Sequence, residues 1–379
     1  MVAIQSLLSP NVLTEVVSQK AATTDWLINL MGLGPGGRNE KFVGHGRYGA
    51  YHIFNHTRKV AQGRMPGTAA GRSSPNAVGQ VLFTYPRMHD SISLPAEIMH
   101  NLAQISDPTQ RDKAGADMIK RQTDYLGEKC ANWRKAMLIG MMRDALYYTT
   151  EGDEVKFNYS GTGTQISFDM PAGNKTKLDM LGEGDIIAAS WHTASTDIPD
   201  HLGKINRAFQ ILCGGGLKAA IITHQIFNYI RRNDVVQDEH GTSMPPYLRY
   251  EVLEMAGKPG ESMKNVLVVE LRSFPGCTFY VTDEVIDLGY DASESLQPIV
   301  PANKGIFLGF DPGIEGIVTC YLGSEPIAEY DAGPEVVKVG LNSWSVKRSN
   351  PTSTELYGLD NALIVNTIPK SIAIGTLVY

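Results

Sequence analysis

The sequence predicts an α+β protein organised around one very long helix. Three observations lead there. Apolar residues recur at helical spacing from Met118 to Met141. The chain on either side breaks mostly into short apolar runs of strand length, with one helical passage between residues 198 and 232. The stretch from Lys41 to His89 holds seven Lys and Arg, no acid, and little apolar surface for a core.

Composition sets the outer bounds. At 379 residues there is room for two or three packed regions. With 42% hydrophobic and 20% charged residues, the chain reads as globular rather than disordered or fibrous. No apolar run approaches the ~20 residues of a membrane helix. The opening MVAIQSLLSP lacks a basic leader and an apolar core, so the expectation is a soluble product made in a cytoplasm. Cys130, Cys213, Cys277 and Cys320 are scattered with no C-x-x-C, which points to buried reduced thiols.

Taken in order, residues 1–39 read as an arm. Its two short helical patterns have Thr14 and Thr24 near their starts, and GLGPGG then stops them. EKFVGHGRYGAYHIFNHTRKVAQ alternates weakly, as two limbs of a long hairpin would. RMPGTAAGRSSPNAVGQ, from Arg64 to Gln80, forms its tip or descending limb. GQVLFTYPRMHDSISLP follows as a strand. The long helix is expected over residues 107–148. Asp107 would be its N-cap, Pro108 its first residue and Gln110 the end of a capping box. Met118, Leu126, Cys130, Trp133, Met137 and Met141 line one face. Gly115, Gly127 and Gly140 each weaken it by ~1 kcal/mol relative to alanine, so a bend or break is allowed.

Short strands follow from Val155. Next comes an amphipathic helix with Leu202, Ile205, Phe209 and Leu212 on its apolar face, stopped by Gly214–Gly216. LKAAIIT is a buried strand, and Thr223 caps the helix HQIFNYIRR. Beyond residue 264 the chain is strand-rich to its end.

Charge is the strongest clue to function. The net charge of −6 conceals a cationic segment, Lys41, Arg47, Arg58, Lys59, Arg64, Arg72 and Arg87, on a strongly acidic remainder. Such blocks mark interaction surfaces. A hairpin that cannot bury its own faces costs conformational entropy to order alone. The surface it lacks is best supplied by another copy of the chain.

Motifs for chemistry are weak. GHGRYG matches G-x-G-x-x-G, but it lacks a buried strand before it, a helix after it and an acid about 20 residues on. CGGGLK lacks the Gly-Lys-Ser/Thr of a phosphate loop and serves as a helix stop. His192, Asp197 and His201 lie close in sequence, as do His52 and His56, without the further ligands of a metal site. No G-x-S-x-G occurs. No catalytic residue, cofactor or metal is expected.

The order of elements resembles the major capsid proteins of tailed phages with the Hong Kong 97-type fold. More narrowly, it resembles the lambda-type capsid protein E family. RMPGTAAGRSSPNAVGQVLFTYPRMHDSISLPAEI is similar to that family's descent from an extended loop. SDPTQRDKAGADMIKRQTDYLGEKCANWRKAMLIGMMRDAL is similar to its spine helix. GDIIAASWHTASTDIPDHLGKINRAF with LKAAIITHQIFNYI resembles the start of its axial domain, and SNPTSTELYGLDNALIVNTIPKSIAIGTLVY its ending. The likeness covers nearly the whole chain.

The resemblance implies an N-terminal arm over 1–39 and an extended loop over 40–80 lying across a neighbouring subunit. It implies a peripheral domain over 81–180 with later strands at roughly 325–350, and a mainly axial domain over 181–379. The implied function is a structural subunit that assembles as hexamers and pentamers into an icosahedral shell around double-stranded DNA. It would enclose that DNA without sequence-specific binding and touch no membrane. Implied partners are separate scaffolding, portal and decoration proteins, and the implied location is the virion after assembly in the host cytoplasm. Lys41, Arg47, Arg58, Lys59, Arg64 and Arg72 become the expected intersubunit contacts. Relatives that cross-link a loop lysine to an asparagine have no marked counterpart here. Competing readings are an encapsulin-like compartment shell, a nucleic-acid-binding module built on 41–89, and an α/β enzyme.

Overall fold

The computed structural model describes residues 10–42, 48–53, 79–84, 86–95, 108–151, 154–238, 245–254, 265–289, 294–327, 336–349 and 352–379. Two helices open it, α1 (Pro10–Thr24) and α2 (Trp26–Met31). A third, α3, runs unbroken from Pro108 to Arg143, about 54 Å at 1.5 Å per residue. The expected N-cap, Asp107, lies outside the described residues.

The glycines of α3 are sites of close approach rather than breaks. A Cβ on Gly127 would stand 3.0 Å from the Val17 carbonyl oxygen and 2.9 Å from Cβ of Lys20, so α1 crosses there. A Cβ on Gly140 would stand 2.6 Å from Cβ of Leu146. The helix ends short of the expected Tyr148. Asp144 turns the chain at φ 48°, Ala145 N–H donates to the Gly140 carbonyl at 3.0 Å, and Leu146–Glu151 leaves as a strand. Tyr147, Tyr148, Thr149 and Thr150 fit a pleated surface better than a helix. That strand pairs with Glu154–Asn158 and Thr164–Ile166.

The arm is docked along its described length. Leu13, Val17, Ala21, Trp26, Leu27, Ile28, Met31 and Leu33 are all buried. Asp25, not Thr24, caps α2, its Oδ1 accepting the N–H groups of Leu27 (2.9 Å) and Ile28 (3.1 Å). Thr14 sits inside α1, where its hydroxyl donates to the Ser343 carbonyl and accepts from the Ser343 N–H. Those bonds occupy the edge of a strand that would otherwise present unpaired groups. GLGPGG does stop the helix, with Gly32 at φ 66°, but the turn is packed. Asn39 is buried and bonds to the Met31 carbonyl at 2.7 Å.

α1 and α3 cover one face of a five-stranded sheet. Its spine is Thr352–Asn366, flanked by Leu341–Ser349, Arg87–Pro95 and Val318–Leu322, with Glu40–Phe42 outermost and parallel to Val318–Leu322. Alternation along the long strand decides which side chains meet the helix. Leu356 packs with Leu13 and Leu94, while Tyr357 and Leu359 join Trp344 in a separate cluster. Gly358 brings the sheet close, since a Cβ there would lie 3.0 Å from the Leu126 side chain.

The second sheet has seven strands, ordered Tyr247–Glu254, Asn265–Leu271, Thr278–Val281, Ala219–Ile222, Lys304–Leu308, Ile372–Thr376 and Lys175–Thr176. Its central strands are buried on both faces. Ala219, Ile221, Val266 and Val268 join the core around α2 and the end of α3. Ala220, Ile222, Leu267 and Val269 face α4 (Ile198–Cys213) and α5 (His224–Arg232). Gly214 stops α4 at φ 81° and Thr223 caps α5, both as the sequence predicts. The C-terminal segment makes two strands, joined by the turn Pro369–Ser371, and so passes from the first sheet to the second.

Candidate assembly surfaces

Residues 134–142 of α3 are buried all round, yet the stretch begins with two cations. Charges so buried must be paired. Arg134 is 1% exposed. Its Nε and Nη2 grip both oxygens of Asp360 at 2.7 and 3.1 Å, a forked pairing suited to guanidinium. Its Nη1 donates to Glu40 Oε1 at 2.5 Å and to the Leu33 carbonyl at 3.0 Å. Burial works against the charged guanidinium, but Asp360 and then Glu40 help hold its pKa well above the ordinary value. Burial raises the pKa of Glu40, and Arg134 pulls it down without cancelling that effect.

Lys135, also 1% exposed, pairs with Asp25 and, at 2.6 Å, with Glu284 Oε1. Glu284 also accepts the indole N–H of Trp26 at 2.8 Å, and Trp26 stacks on Tyr280 of the second sheet. Two consecutive residues thus join the arm, the root of the expected loop and both sheets. The sequence reading missed this junction. A Lys or Arg pair inside an otherwise apolar helical run was the signal for it.

Glu40–Phe42 leads into the expected extended loop. Tyr48–Ile53 and Gly79–Thr84 pair antiparallel, from Tyr48↔Thr84 to Ile53↔Gly79, which makes them the stem of a hairpin. The stem buries one face on its own subunit, against the expectation that the hairpin can bury neither. Tyr51 is buried, with its ring centroid 5.8 Å from Phe83 and 6.1 Å from Tyr321. Burial raises the Tyr51 pKa to about 12. Gly49 pairs with Phe83 in this register. The other face carries His52, Gln80, Leu82 and Thr84, all exposed, with Leu82 at 79%. An apolar side chain so bare at mid-strand is a contact surface in waiting.

Of the six cations expected at an interface, Lys41 is exposed on the outermost strand, in register with Tyr321. Arg47, Arg58, Lys59, Arg64 and Arg72 lie outside the described residues, as does His56.

The remaining motifs are engaged elsewhere. Asp197 caps α4, accepting the N–H of Asp200 at 2.9 Å. His201 is buried, and its Nδ1 accepts the Trp191 indole N–H at 3.1 Å; burial lowers its pKa. His192 rests edge-on against Tyr229. All four cysteines are buried and unbridged. Among the described residues no cluster of three His, Cys, Asp or Glu could hold a metal, and no helix is long and apolar enough to cross a membrane.

No family model and no curated protein matches the sequence. Solved structures do match. A protein assigned as a prophage capsid protein in E. coli CFT073 superposes over 98% of this chain and 99% of its own, with a TM-score of 0.51 at 9% identity. The chain has the Hong Kong 97-type capsid fold. Two weaker likenesses are a phage-related protein of Bordetella bronchiseptica RB50 (TM-score 0.47, 11% identity, 96% of each chain) and an encapsulin from Synechococcus elongatus PCC 7942 (TM-score 0.39, 9% identity, 89% of this chain and 85% of its own).

Proposed function

We propose that the protein is the major capsid subunit of a tailed phage. It assembles through hexamers and pentamers into a shell enclosing double-stranded DNA, in a virion built in the host cytoplasm. The observation that carries this reading is the stem: one face docked, the other bare at Leu82, within a stretch from Lys41 to His89 that holds seven cations and no acid. The capsid fold supplies the context. Residues 40–80 act as the extended loop, 81–180 with strands near 325–350 as the peripheral domain, and 181–379 mainly as the axial domain. Lys41, Arg47, Arg58, Lys59, Arg64 and Arg72 contact the next copy. Repetition of one heterologous contact closes the ring. The acidic remainder attracts the loop and keeps packaged DNA from adhering tightly, because DNA affinity grows with neutralised phosphates. Scaffolding and portal functions fall to other proteins, and no catalysis is required of this one.

Deleting residues 60–76 tests the reading. The expected product is a folded subunit with an unchanged melting temperature that forms no shells in electron micrographs. Normal shells from the deletion would exclude the loop as the assembly contact. Particles that carry protein cargo in place of DNA would turn the reading towards an encapsulin-like compartment.

A further inference from the structure

The cationic loop has a counterpart in the same chain. From Ser273 to Val337 the sequence holds eleven Asp and Glu against one base, Lys304. Within that segment lies a small hairpin, Val285–Asp287 paired with Leu296–Pro298. The pairings Val285↔Pro298 and Asp287↔Leu296 put these four residues on one face. That face is unusually bare, with Val285 at 47% and Leu296 at 57% exposure, and the acids Asp283, Asp287 and Glu294 are exposed around it.

The hairpin is rigidly mounted. Ile286, Ile299 and Val300 anchor it in the main core. Arg143, at the end of α3, donates to the Pro298 carbonyl at 3.1 Å. Asp287 Oδ1 accepts the N–H groups of Gly289 and Ser295, both at 2.8 Å, which fixes the turn. A preorganised apolar face rimmed by carboxylates repels phosphate and suits a partner that is both apolar and cationic. The loop segment has that composition, with Leu82 bare on a stem that continues into cations unaccompanied by any acid.

We propose that the strand pair Val285–Asp287 and Leu296–Pro298 is the landing surface for the basic loop, residues 41–89, of the next copy in the ring. This rests on the shell-forming reading and adds the place on the neighbour where the loop binds.

Two experiments on the full chain test it. Particles grown from a mixture of isotope-labelled and unlabelled protein are treated with a zero-length carbodiimide, which joins lysine amines to carboxylates. Mixed-isotope peptides linking Lys41 or Lys59 to Asp283, Asp287 or Glu294 are expected. The double variant Glu294→Lys/Leu296→Lys alters two exposed side chains. It is expected to keep the wild-type melting temperature and lose at least tenfold in particle yield, with part of the yield restored by adding Arg64→Glu and Arg72→Glu. Wild-type particles that lack those mixed-isotope links, together with full yield from the double variant, would place the acceptor elsewhere and leave the shell reading standing. A wild-type chain that forms no particles overturns the reading beneath. Should the double variant melt early, the cross-links on the wild-type chain decide.

Discussion

Two sets of cations receive opposite treatment in this molecule. Arg134 and Lys135 are buried in α3 with carboxylates on several sides. The seven cations from Lys41 to Arg87 share their stretch of sequence with no acid at all, and Lys41 stands exposed where that stretch begins. The first set is matched inside the subunit and fixes how its parts meet. The second has no acid in its own stretch of sequence, and under the proposed function its partners come from another copy.

The largest expected effect lies on the closed side of that contrast. Arg134→Met leaves Asp360 and Glu40 buried without their cation, and removing one partner of a buried pair costs about 3–5 kcal/mol. Denaturant unfolding of the purified subunit should show that loss. A change below 1 kcal/mol would mean that the network does not hold the parts together. Gly127→Ala is next. Helix propensity alone would add ~1 kcal/mol, but the new methyl meets the Val17 carbonyl and Lys20, and overpacking costs ~1–3 kcal/mol. A net loss of stability is expected, and a gain would show that α1 does not cross so tightly.

On the open side, Arg64→Glu with Arg72→Glu should leave the unfolding free energy of the subunit within ~0.5 kcal/mol of wild type, as surface changes usually do. Assembly should slow several-fold at low salt and less at high salt, where screening weakens the repulsion. Light scattering across a salt series reads this out, and salt-independent assembly would remove the electrostatic part of the argument. The smallest effect belongs to His201. Its folded pKa lies below the ordinary 6.5, so it is neutral in both states at higher pH and contributes no pH dependence there. Below about 6.5 the unfolded chain takes up a proton that the folded one resists, so stability falls with pH until the folded value is reached. His201→Gln should flatten that part of the stability profile.

Much of the architecture was legible because it rests on local chemistry. The α3 periodicity, the Gly214 stop and the Thr223 cap needed only neighbours in sequence. The end of α3 was misjudged because Leu146–Glu151 is fixed by pairing with strands up to residue 166, which periodicity does not register. The arm looked free because the surface it covers comes from Ser343 and Gly127, far along the chain. Of the assembly surface, the sequence revealed the charge but not the bare Leu82. Leu82 lies between Val81 and Phe83, and a leucine in such an apolar run reads the same whether its strand face is docked or open.

Arg134 and Lys135 are neighbours in the chain, so their side chains leave α3 about 100° apart. One engages the first sheet and the loop root, the other the arm and the second sheet. The helix is therefore keyed like a shaft in two slots. It can flex along its length, but turning about its own axis would pull both keys at once, so a torque applied at one sheet is passed to the other.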